Sequence, residues 1–139
     1  MTASFRNTNL SLYRGVNNRL TWTLYEDDQR TSAALPSGSV IRFKLYTEWL
    51  TTATPTLDID SAGASANGSI LTVSSNSAPA TGSMLITLAD MANIPATTSE
   101  IQYIGMLGYV DHNDSDRWKL IERGIVIVYE TLAGETGLT

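Results

Sequence analysis

Short runs with a large apolar residue at every second position restrict this chain to strands. Leu20, Trp22 and Leu24 alternate with Thr21, Thr23 and Tyr25, and Ile41, Phe43 and Leu45 alternate with Arg42, Lys44 and Tyr46. A period of two sends successive side chains to opposite faces of an extended backbone, so each run buries one face and wets the other. The same reading gives strands at Leu10 and Leu12, with Val16 just past Gly15, at Leu57 and Ile59, and at Ile70 to Val73. A further strand opens at Gly82, with Met84, Ile86 and Leu88 on one face and Ser83, Leu85 and Thr87 on the other.

The stretch from Ile101 to Tyr129 carries the most information. Ile101, Tyr103 and Leu107, interleaved with Gln102, Ile104 and Met106, make a long strand that is apolar on both faces. Gly105 and Gly108 interrupt it, as a bulge or as room for a close neighbour. Trp118 and Leu120 begin its return partner, and either Ile125, Ile127 and Tyr129 or Val126 and Val128 supply the inward face of the last strand. Two apolar faces imply a central strand or a contact between subunits, which makes Ile104, Met106, Ile125 and Ile127 the candidate interface residues.

Turn residues separate these runs at β-like intervals: Glu26 to Ser32, Pro36-Ser37-Gly38, and the Ala, Ser and Gly stretch from Ser61 to Gly68. Thr47 to Pro55 reads as a loop in which Trp49 and Leu50 fold back on the core edge. Only Ala89 to Pro95 reads as a helical turn, which Pro95 ends or redirects. The sum is an all-β protein of about seven to nine short strands, with a β-sandwich as the leading architecture and a small β-barrel as the runner-up.

Composition sets the outer limits. A chain of 139 residues, 42% hydrophobic and 17% charged, fits one folded domain spanning residues 1–139. Its ends, Met1 to Asn9 and Thr131 to Thr139, have weak signatures and read as assembly arms or frayed termini. A net charge of -5, with acidic residues beside every cluster of basic ones, argues against nucleic acid as a partner. No signal peptide or membrane-spanning run is visible, and the absence of cysteine means that no disulfide is needed.

The chemical inventory is thin. Cysteine is absent, no G-x-S-x-G elbow occurs, and the one histidine, His112, sits in a polar turn. Asp58, Asp60, Asp90 and Glu100 would form a glycosidase pair only if the fold brought two of them across a cleft. The expectation is therefore no enzyme and no cofactor. Asp111, Asn113, Asp114 and Asp116 gather oxygens suited to a structural calcium, but the helix-loop-helix pattern fails, since its sixth position lacks glycine. A solvated hairpin turn is the leading reading of this cluster and calcium the alternative. Trp22 reads as core, whereas Trp49 and Trp118 are the candidate residues for weak glycan binding, against a default of burial at a sheet edge.

Three segments carry a family resemblance: Tyr13-Arg14-Gly15 followed by Leu35-Pro36-Ser37-Gly38-Ser39-Val40-Ile41-Arg42-Phe43; Gly82-Ser83-Met84-Leu85-Ile86-Thr87-Leu88-Ala89-Asp90; and Arg117-Trp118-Lys119-Leu120-Ile121-Glu122-Arg123-Gly124-Ile125-Val126-Ile127-Val128. With them, most of Leu10 to Glu130 resembles the small immunoglobulin-like domains of tailed-bacteriophage virion proteins, including the amino-terminal domain of upper baseplate proteins. The resemblance implies an immunoglobulin-like β-sandwich and a noncatalytic role in the tail, baseplate, neck or fibre attachment. It implies other virion structural proteins as partners, homo-oligomeric or repeated copies, and residence in the virion after synthesis in the host cytoplasm. Unlike larger members, the sequence stops soon after its last strand, which favours an adaptor or accessory subunit. A carbohydrate-binding or host-surface adhesion module is the alternative function.

Overall fold

The computed structural model describes residues 10–25, 31–47, 54–97, 103–110 and 118–130, with the backbone alone for 118–123. The chain is all-β. Its strands are β1 (Leu10–Tyr13), β2 (Asn18–Thr23), β3 (Val40–Tyr46), β4 (Leu57–Asp60), β5 (Ile70–Ser75), β6 (Thr81–Ile86), β7 (Tyr103–Val110) and β8 (Trp118–Tyr129), with one helical turn, α1 (Leu88–Met91), between β6 and β7. They form a five-stranded sheet in the order β1-β8-β7-β3-β4 and a three-stranded sheet in the order β2-β6-β5. The pairings are antiparallel, except that β1 runs parallel to β8. Among the described residues no strand ladder joins the two sheets, as closure into a barrel would require.

The alternating runs account for the core. Leu10, Leu12, Ile41, Phe43, Leu45, Leu57, Ile59, Tyr103, Leu107, Val126 and Val128 of the larger sheet share one buried cluster with Leu20, Trp22, Leu71, Met84 and Ile86 of the smaller. On β8, then, the valines face this core, and Ile125, Ile127 and Tyr129 lie on the opposite face. At about 25 cal/mol per Å² of apolar surface removed from water, this shared cluster is the main source of cohesion between the sheets.

Two local features position the sheets. Trp22 lies directly across from Gly82 in the β2–β6 register, and its indole Nε1 donates to the Ser83 carbonyl at 3.2 Å. A Cβ on Gly82 would come within 3.0 Å of both the indole ring and the Thr72 carbonyl oxygen, so only glycine leaves room for the ring. At the β1–β2 turn, Gly15 takes a φ of 83°. Beyond it, the buried Asn18 acts as a strand neighbour: its Oδ1 accepts from the Tyr13 N–H at 3.0 Å and its Nδ2 donates to the Tyr13 carbonyl at 2.8 Å. Both backbone groups would otherwise be open on an edge strand.

One expectation needs correction, and another is met in part. Leu88 does not continue the face of Met84 and Ile86; it starts α1 and is 48% exposed. The strand ends because Thr87, in extended conformation, caps the helical turn with its side chain on the Asp90 N–H. The irregularity in the long hairpin falls where Leu107 pairs with Glu122 and Gly108 with Leu120, so the extra residue belongs to β8 rather than to the glycine-bearing β7. Glu26 to Arg30 of the first turn and Trp49 and Leu50 of the long loop lie outside the described residues.

Candidate functional site

The face of the five-stranded sheet turned away from the shared core has its own chemistry. Tyr46 of β3 pairs with Ile104 of β7, which pairs with Ile125 of β8, so three large side chains form a row across three strands. Met106 stands two residues along β7 from Ile104, and Tyr46, Ile104 and Met106 form a second buried cluster separate from the main core. Burial pushes the Tyr46 phenol above its ordinary pKa, with the nearby Asp58 carboxylate adding to the rise and the Arg42 guanidinium opposing it.

Toward the β1 side the face opens. Ile125 and Ile127 are half-buried, and Tyr129 pairs in register with Tyr13 of β1. These two tyrosines are 45% and 40% exposed, and their rings stack with centroids 5.4 Å apart at an interplanar angle of 22°. An Arg14–Glu130 ion pair flanks them, and Arg14 Nη2 also donates to the Ala92 carbonyl at 3.3 Å. At the β4 edge a second pair, Arg42 Nη2 to Asp58 Oδ2 at 3.3 Å, bounds the same face. The face therefore carries an apolar band over β3, β7 and β8, a stacked tyrosine pair at its β1 edge and an ion pair at either margin. Of the four interface residues expected from the sequence, the fold brings all four to this one face, Ile104 and Met106 buried and Ile125 and Ile127 within partial reach of solvent.

The remaining candidates fall elsewhere. Trp49, His112, Glu100 and the proposed calcium ligands Asp111, Asn113, Asp114 and Asp116 lie outside the described residues, and of Trp118 only the backbone is described. Val110 and Trp118 pair across β7 and β8, so the acidic segment connects two hydrogen-bonded strands. Among the described residues no group of three or more His, Cys, Asp or Glu side chains is gathered as a metal site would need.

Asp58 and Asp60 sit on β4, whereas Asp90 belongs to α1 and has a different task. Its carboxylate accepts from Ser65 Oγ and Asn67 Nδ2, both at 2.9 Å, and so ties the β4–β5 loop to the helical turn. Partial burial pushes the Asp90 carboxyl up, but hydrogen bonds from Ser69, Asn67 and Ser65 outweigh it and hold the group below the usual carboxylate range. The sequence contained the signal for the cap alone: Thr87-x-x-Asp90 has capping-box spacing, whereas Ser65 and Asn67 lie more than twenty residues from Asp90. No family model matches the chain, and no curated protein matches its sequence.

Proposed function

We propose that this chain is an immunoglobulin-like β-sandwich acting as a noncatalytic structural subunit of a tailed-phage particle. It would be an adaptor or accessory protein of the tail, baseplate, neck or fibre attachment, contacting other virion proteins and its own copies. The fold part of this reading is supported by strand order. The smaller sheet, β2-β6-β5, corresponds to strands B, E and D of an immunoglobulin-type domain, and β4-β3-β7-β8 to C′, C, F and G, with β1 parallel on the last. Tyr103 adds support: it starts β7, is buried, and its hydroxyl donates back to the Pro95 carbonyl at 2.9 Å, as a tyrosine corner does. With no cysteine available, the core shared by the two sheets, Trp22 and Phe43 among its residues, holds them together without a disulfide.

The observation that carries the functional part is the second apolar face. Tyr46, Ile104 and Met106 form a cluster apart from the main core, and Ile125, Ile127, Tyr13 and Tyr129 extend it to the surface. Tyr46, Ile104 and Met106 are already buried within the chain, so the area left for a partner is that of the half-buried Ile125 and Ile127 and the exposed Tyr13 and Tyr129. Repetition by cyclic symmetry would strengthen a contact of this modest size. The deciding experiment is mass spectrometry of gradient-purified particles. The chain should co-purify at a fixed ratio to the tail proteins, and its absence from intact particles would defeat the reading. A second reading, a carbohydrate-binding or host-surface adhesion module, is favoured by the exposed Tyr13–Tyr129 pair. A glycan-array signal lost on Tyr129→Ala with folding intact would support it.

A further inference from the structure

The loop tied down by Asp90 contains the chain's one Asn-Gly step, Asn67-Gly68. Both residues are exposed, and Gly68 has a φ of 91°. The Gly68 N–H donates to the Ser65 carbonyl at 2.9 Å and the Ser65 N–H donates to the Ser69 carbonyl at 2.8 Å, so Ser65 to Ser69 closes as a tight turn with its glycine in the left-handed region. Asn67 is fixed at two further points. Its Nδ2 donates to Asp90 Oδ1 at 2.9 Å, and its carbonyl accepts from Thr87 Oγ1 at 2.9 Å.

We propose that Asn67 is a site of spontaneous covalent modification, a deamidation whose rate is set by the Asp90 anchor. Glycine has no Cβ to shield its backbone nitrogen, so Asn-Gly is the pairing most open to internal attack. The deprotonated Gly68 nitrogen bonds to Asn67 Cγ, the Cγ–Nδ2 bond breaks, and ammonia leaves with the proton, giving a five-membered succinimide. Water then opens the ring at either carbonyl to leave aspartate or isoaspartate. The net change is amide plus water to carboxylic acid plus ammonia, with no oxidant or reductant.

In the folded loop both reacting groups are committed elsewhere, the Gly68 N–H to Ser65 and the Asn67 amide to Asp90, so attack requires the anchor to open. Reaction then prevents it from closing again. A carboxylate at position 67 would face the Asp90 carboxylate where an N–H donor stood at 2.9 Å, replacing a charge-assisted hydrogen bond with repulsion between like charges. The isoaspartate product also lengthens the backbone by one methylene and cannot keep the turn.

The test is peptide-resolved mass spectrometry of the full chain incubated in mildly alkaline buffer, with Asn76-Ser77 as the internal reference and the urea-unfolded chain as the upper limit. Asp90→Ala should speed conversion at Asn67 by on the order of tenfold, the factor corresponding to about 1.4 kcal/mol for one hydrogen bond to a charged acceptor. The Asn76 rate should be unchanged. Equal Asn67 rates in the native protein and in Asp90→Ala would overturn the proposal. Should Asp90→Ala fail to fold, Asn67→Asp takes its place as a mimic of the product. It should lower the melting temperature, and adding Asp90→Asn should restore most of the loss; a melting temperature equal to that of the unmodified chain would overturn the proposal.

Discussion

Gly82→Ala should be the most damaging one-carbon change in the smaller sheet. Gly82 sits on β6, the central strand of the three, between Trp22 on β2 and the Thr72 carbonyl on β5, and an added Cβ would lie closer than 3.0 Å to both. Neither can yield easily. The Thr72 oxygen is backbone in a paired strand, and the indole is 3% exposed with its N–H bound to the Ser83 carbonyl. Overpacking typically costs about 1–3 kcal/mol, and shifting the backbone puts this case at the upper end or beyond. Replacing glycine by alanine also stiffens the unfolded chain and returns about 0.4–1 kcal/mol. The expected net loss is about 2–3 kcal/mol, or on the order of 10 °C in melting temperature for a domain of this size. Urea unfolding followed by tryptophan fluorescence would measure it as a lower midpoint at unchanged slope. Trp22→Leu should itself destabilise, but the Gly82→Ala penalty should shrink in its background, because the two side chains compete for one space. A Gly82→Ala protein within about 0.5 kcal/mol of the unmodified chain would refute the packing argument.

Other expectations rest on separate contacts. Tyr103→Phe removes the part-buried hydrogen bond to the Pro95 carbonyl and should cost about 1 kcal/mol in chemical denaturation, with the fold retained. Asn18→Leu leaves the Tyr13 N–H and carbonyl without their side-chain partner and should cost about 2–3 kcal/mol; an unchanged midpoint would show that water replaces the amide. The Asp90 carboxyl is depressed in the folded state, so the stability it contributes is present above its unfolded pKa and lost as pH falls through the folded value. Urea midpoints in acid should therefore fall less steeply for Asp90→Asn than for the unmodified chain. Ile127→Arg, changing a half-buried residue of the outer face, should leave the circular dichroism spectrum intact while abolishing incorporation into particles; normal incorporation would remove this face from the proposed contact.

Strand positions were legible in the sequence because period-two alternation is a local property of an extended backbone. Leu20, Trp22, Ile41, Phe43 and Leu45 read as inward-facing, and all of them are in the core. The short helical turn was legible for a similar reason, since Pro95 and the small residues before it act locally. Which face of the last strand turns inward was not, because Ile125, Ile127 and Val126, Val128 are equally apolar sets with equal spacing. The valines face the core because the β7–β8 register sets Tyr103 against Val126, and the isoleucines are thereby left on the outer face. Leu88 misled for the complementary reason: its spacing suited a strand, but the Thr87 cap had already ended it.

By itself the sequence determined the strands, the inward faces of those with one apolar side, and an all-β class, all of which follow from residue spacing along one segment. Only the tertiary structure decided the pairing of β1 with β8, the approach of Trp22 to Gly82, the anchoring of the β4–β5 loop by Asp90 and the gathering of four scattered apolar residues on one outer face. Each of these joins residues far apart in the chain, and such partners are chosen by register and packing between segments, which no single segment encodes.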